Sequence, residues 1–191
     1  MLTTNLFMNV RWELDWKDDY FNILPDTVTE VTLAPRRLNS TCLGSLPKSL
    51  KSLVLTEESQ YEAFLQCIQS PPFSMLENLV IVLPQSFANP LILPNPITEL
   101  EIRGGITLPS LESTQWPISL NSIKFEQHQL QPIAYSHLSN HLKILMLGDS
   151  GPVLENDDMI YPPRSLTSLN LKRAQFNKPA SPTCLLSLLI L

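Results

Sequence analysis

A chain of 191 residues with 43% apolar and 16% charged residues can bury a core in one body, and its net charge of −5 argues against nucleic acid, whose phosphates call for clustered Lys and Arg. Seventeen prolines against five glycines sit badly with a compact α/β enzyme and suit a chain that turns at short, regular intervals. No apolar run approaches the ~20 residues of a membrane-spanning helix, so no membrane partner is expected.

In chain order, residues 1–23 read as an N-terminal cap holding a degenerate repeat. Phe7, Val10 and Trp12 keep an apolar frame, with Phe7 standing 21 residues before Val28. Arg11, Glu13 and Asp15 break the apolar run and no basic segment precedes it, which is not the pattern of a signal peptide. Cys42, Cys67 and Cys184 are unclustered and odd in number, which favours reduced thiols and a cytoplasmic setting.

From residue 24 onward one frame recurs: Pro-x-x-Leu-x-x-Leu-x-Leu. It reads LPDTVTEVTL at 24–33, LPKSLKSLVL at 46–55, LPNPITELEI at 93–102, WPISLNSIKF at 116–125, LSNHLKILML at 138–147 and PPRSLTSLNL at 162–171. Looser copies stand at 72–81 and 181–190. The first apolar position falls at Val28, Leu50, Leu76, Ile97, Leu120, Leu142, Leu166 and Leu185, in steps of 19 to 26 residues. That spacing lies close to the roughly 20 to 29 residues of leucine-rich repeats. The last apolar residues of each copy alternate with polar ones, as in Leu100-Glu101-Ile102, so each copy predicts one short, half-buried strand. A single such strand cannot bury its apolar face, but parallel stacking of copies can. The Pro belongs just outside the strand, since it cannot donate to a ladder.

Between Glu57 and Gln69, Tyr61, Phe64, Leu65 and Ile68 recur at helical spacing, and Pro71 and Pro72 follow. One helix is predicted there. The other connections, rich in Pro and Ser, predict only turns or single 3-10 turns. The chain stops on an apolar repeat strand, 188–191, without a polar cap. It therefore reads either as a piece of a longer array or as an end covered by another chain, with self-association through this strand.

After the strand, an aromatic or Leu followed by Asn or Gln recurs, at Phe176-Asn177-Lys178-Pro179, Leu130-Gln131-Pro132, Leu38-Asn39 and, more loosely, Phe87-Ala88-Asn89-Pro90. With the Leu-Pro-x-Ser-Leu-x-Ser-Leu frame, residues 24–191 resemble the FNIP repeats, a leucine-rich-repeat-like family. The Asn of ordinary leucine-rich repeats, three residues past the last strand Leu, is replaced here by Arg36, Glu58, Pro84, Gly105, His128, Ser150 and Ala174. The resemblance implies a binding scaffold. The expected fold is a β-rich α/β solenoid of about eight copies over 24–191. It carries a curved parallel sheet on its concave side, and loops, 3-10 turns and one helix on its convex side.

Catalytic patterns do not assemble. Gly148-Asp149-Ser150-Gly151-Pro152 looks like the nucleophile segment of trypsin-like proteases, but it lacks one Gly and follows a strand, where turn residues are expected. His137 and His141, four apart, would need a helix to share a metal, and Ser139-Asn140 argue against one. Asp18-Asp19 and Asp157-Asp158 have no frame that sets them against another carboxylate. No phosphate-binding Gly loop occurs, and no cofactor or metal is expected. The chain reads as non-enzymatic.

Stacking would align the polar strand positions into columns. One runs Glu30, Ser52, Asn78, Glu99, Ser122, Ile144, Ser168, and the next Thr32, Val54, Val80, Glu101, Lys124, Met146, Asn170. A third includes Val82, Arg103 and Glu126. The candidate partner-binding residues are the charged block Glu99, Glu101, Arg103, Lys124 and Glu126, and the apolar patch Val54, Val80 and Val82. The expected partner is a protein or peptide. The plainer alternative is that these charges pair with one another on a solvated sheet.

Overall fold

A computed structural model describes residues 24–33, 40–69, 71–106, 108–126, 137–148, 153–154, 163–171 and 175–176. In chain order these form β1 (Glu30–Thr32), α1 (Ser40–Gly44), β2 (Ser52–Val54), α2 (Glu58–Cys67), a 3-10 turn (Pro71–Met75), β3 (Asn78–Phe87), β4 (Glu99–Ile106) and α3 (Leu108–Ser113). There follow β5 (Ser122–Glu126), β6 (Ile144–Leu147), β7 (Val153–Leu154), β8 (Ser168–Leu171) and β9 (Gln175–Phe176). Seven strands make one open, all-parallel sheet in the order β1-β2-β3-β4-β5-β6-β8, and β7 pairs with β9, also parallel.

The register sets equivalent positions of successive copies side by side: Val31 opposite Leu53, then Leu79, Leu100, Ile123, Leu145 and Leu169. Three apolar ladders build the core on one face of the sheet. The first apolar position of the frame supplies Val28, Leu50, Leu76, Ile97, Leu120, Leu142 and Leu166, the second Val31 to Leu145, and the third Leu33, Leu55, Ile81, Ile102, Phe125 and Leu147, all buried. At roughly 1.5–3 kcal/mol per fully buried side chain, this repeated burial is the dominant stabilising term.

The Pro of the frame closes a turn. Its carbonyl accepts the N–H of the first apolar residue, as in Leu50 N–H to Pro47 O at 3.2 Å and Leu120 N–H to Pro117 O at 3.1 Å, so its missing N–H costs nothing. Strand entry is equally regular. Thr29 O accepts both Lys51 N–H and Ser52 N–H, at 2.8 and 2.9 Å, and the same doubled acceptance recurs at Lys51, Glu77, Thr98, Asn121 and Lys143.

A hydroxyl joins successive copies. Ser49 Oγ donates to Val28 O at 2.8 Å, Ser119 Oγ to Ile97 O at 2.7 Å and Ser165 Oγ to Leu142 O at 2.7 Å. In each case the Ser directly before the first apolar residue reaches the first apolar residue of the preceding copy.

The helix expected between Glu57 and Gln69 is α2. Gln60 closes its start, since Gln60 Oε1 accepts Thr56 N–H at 2.8 Å and Glu57 N–H at 3.3 Å. Its apolar face packs through Phe64 on Phe73, ring centroids 4.9 Å apart, and Tyr61 on Phe87 at 5.8 Å. The expectation of a single helix is corrected by α1 and α3, each about one α-turn. Buried Leu43 and Leu111 anchor them to the core, and Pro109 falls in the first turn of α3, where its missing N–H is harmless.

Strands β3 and β4 are longer than the repeat frame predicts. Their pairing slips between Leu83 and Phe87, around Pro84, and resumes at Phe87 opposite Ile106. Gly104 crosses this irregularity with φ +92, and a Cβ placed there would lie 1.9 Å from Leu83 O. Only glycine fits.

Candidate functional site

The sheet face opposite the core is left open by the described residues. Its side chains are half-buried or exposed at nearly every column position; Ser122 alone is buried. The columns read from the sequence are those of the structure: Ser52 faces Asn78, Asn78 faces Glu99, and Val54 faces Val80, Val80 Glu101 and Glu101 Lys124.

Four of the five predicted charges form a closed ring on β4 and β5. Glu101 and Lys124 are lateral partners, as are Arg103 and Glu126. Along β4, Arg103 Nε stands 2.6 Å from Glu101 Oε1, and along β5, Lys124 Nζ stands 2.5 Å from Glu126 Oε1. Across the seam, Lys124 Nζ lies 3.1 Å from Glu101 Oε2 and Arg103 Nε 3.3 Å from Glu126 Oε2. Each carboxylate thus gives one oxygen to each cation, and the ring carries no net charge.

The ring is internally satisfied. The Glu126 carboxyl is held below the usual carboxylate range, chiefly by the hydrogen bond from Lys124, with burial opposing and both cations adding attraction. The Lys124 ammonium is held above its usual range, chiefly by its bond to Glu126, with burial opposing and Glu101 contributing. Glu101 is the most sheltered member, its side chain 17% exposed. Exposed ion pairs contribute ~0.2–1 kcal/mol each. The ring therefore fixes the local sheet surface and leaves little unpaired charge to attract a partner.

Glu99, the fifth predicted charge, stays outside the ring. It is exposed and joins no ion pair among the described residues. Val54, Val80 and Val82 are half-buried and adjacent on β2 and β3, bordering the ring through Glu101 and Arg103. On the ring's other side lie Met146, half-buried, and Ile144, 37% exposed. Sequence reasoning passed over Glu30, which is exposed on β1 and likewise free of ion pairs among the described residues. Its signal was its place in the column of Glu99, three strand steps away.

His137 Nε2 meets Glu112 Oε1 at 3.4 Å, whereas the backbone N–H of His141 donates to Ser139 Oγ. Among the described residues no three His, Cys, Asp or Glu side chains gather as metal ligands would, and no helix is long and apolar enough to cross a membrane. Beside the strand entries runs an open cleft of about 570 Å³ lined by Ile68, Phe73, Leu93 and Pro94 among others, with no titratable side chain. Ser150, the cap segment 1–23 and the C-terminal strand 188–191 lie outside the described residues.

No protein-family model matches the chain, and no curated protein and no solved structure matches it.

Proposed function

We propose that the chain is a leucine-rich-repeat-like solenoid of the FNIP type, acting in the cytoplasm as a non-enzymatic interaction scaffold. Its partner is a protein or peptide seated on the open strand surface, the concave side of the solenoid. The fold part of this reading is supported by one strand per copy, copies about 22 residues apart on average, and in-register parallel pairing across seven strands.

One observation carries the functional part. An all-parallel sheet is ordinarily covered on both faces, yet here only one face is buried by described residues. The open face offers a valine patch beside a neutral charged ring and two carboxylates that join no ion pair among the described residues. Such a surface can hold a polypeptide by side-chain contact and offers no arrangement for bond-making chemistry.

The test is affinity capture from host-cell lysate with the wild type, Val80→Asp on the open face and Glu62→Ala on the exposed side of α2. Circular dichroism confirms that all three fold. A partner held by the wild type and Glu62→Ala but lost by Val80→Asp is the expected result. Equal capture by all three, or none by any, would overturn the reading.

A further inference from the structure

We infer that the open face accommodates an extended polypeptide segment with two cationic side chains four residues apart. This rests on the interaction reading above and specifies its partner.

Glu101 and Glu126 each hold both Arg103 and Lys124. Glu30 and Glu99 are exposed, and neither joins an ion pair among the described residues. Among the described residues, the carboxylates of the open-face columns that join no ion pair are therefore Glu30 and Glu99, at the two ends of the β1 to β4 half.

Geometry then fixes the spacing. Glu30, Ser52, Asn78 and Glu99 form one lateral row, three strand steps from end to end. Neighbouring strands lie about 4.8 Å apart, so the two carboxylates start from backbones about 14 Å apart. An extended segment laid across the strands advances about 3.3 Å per residue, so four residues cover about 13 Å. Its side chains alternate, so residues i, i+2 and i+4 all face the sheet. Three or five residues would turn the second cation away. Length and parity select the same spacing.

The midpoint of that row is Ser52 and Asn78. One row further along the strands stand Val54 and Val80, direct lateral partners and both half-buried. Residue i+2 of the segment falls over Ser52 and Asn78, beside the valine pair. The segment crosses the strands and adds none to the sheet, so its affinity comes from side chains.

The test uses the full 191-residue chain and two capped peptides of identical composition, Ser-Lys-Thr-Val-Thr-Lys-Ser and Ser-Thr-Lys-Val-Lys-Thr-Ser, titrated by calorimetry or NMR at low salt. The first should bind with a Kd of about 1 mM or tighter. The isomer with lysines two apart should bind at least about threefold more weakly, and Glu30→Gln and Glu99→Gln should each weaken the first peptide about two- to fivefold. Glu62→Gln should leave binding unchanged. Absence of binding, equal binding of the two peptides, or indifference to both glutamine variants would overturn the inference. Should that happen while lysate capture still depends on Val80, the spacing proposal falls and the open-face reading stands. Loss of that dependence as well removes both.

Discussion

Glu101 Oε2 lies 3.1 Å from Lys124 Nζ across the seam between β4 and β5, while the other oxygen of the same carboxylate holds Arg103 Nε at 2.6 Å. Neither residue acts alone. Removing Lys124 leaves Glu101 and Glu126 sharing a single cation, so Lys124→Met should cost about 1 kcal/mol and Glu101→Gln about as much. The two should be non-additive in a double-mutant cycle. The reversal Glu101→Lys with Lys124→Glu keeps both contacts across the seam but sets like charges together along each strand. Urea denaturation should find it no more stable than either single variant; full rescue would show that the contacts along the strands contribute nothing.

The ring also sets a pH window. Glu126 has its pKa lowered, first by the hydrogen bond from Lys124, so its contribution is present above the ordinary carboxylate pKa and is lost as pH falls through the folded-state value. Lys124 has its pKa raised, first by Glu126, so its contribution is present at neutral pH and is lost as pH rises through the raised value. The stability difference between wild type and Lys124→Met should form a plateau around neutrality and narrow at both extremes. It should also shrink in molar salt. A difference independent of pH would mean that Lys124 acts through packing alone.

Ser49, Ser119 and Ser165 offer a second test, one of repeat-to-repeat coupling. Each hydroxyl donates to a carbonyl one copy earlier, and Ala would leave that carbonyl without this donor. Each Ser→Ala variant should lose about 1 kcal/mol in denaturant titration. Met75 occupies the same frame position without a hydroxyl, so Met75→Ala should cost less through this mechanism. Three neutral serine variants would remove these bonds from the account of stability.

The pattern of legibility follows from which interactions repeat. The ladders and columns could be read in advance because a 22-residue period and strand alternation together dictate both register and face. The pairing of Glu101 with Lys124 and Arg103 with Glu126 follows from that register. The separation of Glu99 from the ring does not, because it depends on side-chain reach. The Ser49 type of bond was visible as a recurring Ser, but a Ser at a turn reads equally well as solvated surface. Helices α1 and α3 span five and six residues, too short for any periodicity to register. Nor does any periodicity announce that β3 continues past Pro84 by a slip in pairing.

Gly104 marks the point where β4 passes that slip. A Cβ would meet Leu83 O at 1.9 Å, at φ +92, so Gly104→Ala should lose at least about 2 kcal/mol. Gly148 is the control. Its Cβ would lie 2.9 Å from Phe125 O with no left-handed φ, so Gly148→Ala should cost about 1 kcal/mol through crowding alone. Thermal unfolding should rank them in that order, and the reverse ranking would sink the claim that the β3–β4 slip requires a glycine.

Alkaline pH probes the seat of α2. Burial pushes the Tyr61 phenol up to about 12 and the Cys67 thiol up to about 11, in each case against a smaller opposing hydrogen-bond effect. In the unfolded chain these groups ionise near pH ~10 and ~8.5. Across that window the unfolded chain binds fewer protons than the folded one, so stability is full below it and falls as pH rises. At neutral pH Tyr61→Phe removes only an oxygen that accepts Ile92 N–H at 3.4 Å, and should cost about 0.5 kcal/mol. Above pH ~10 the wild type carries a tyrosine penalty that the variant lacks, so the gap should close and then reverse. Cys67, 7% exposed, should react with maleimide far more slowly than a free thiol until urea unfolds the chain. Parallel loss of stability in wild type and Tyr61→Phe would show that the phenol ionises without unfolding the helix, because the α2–β3 contact opens locally to water.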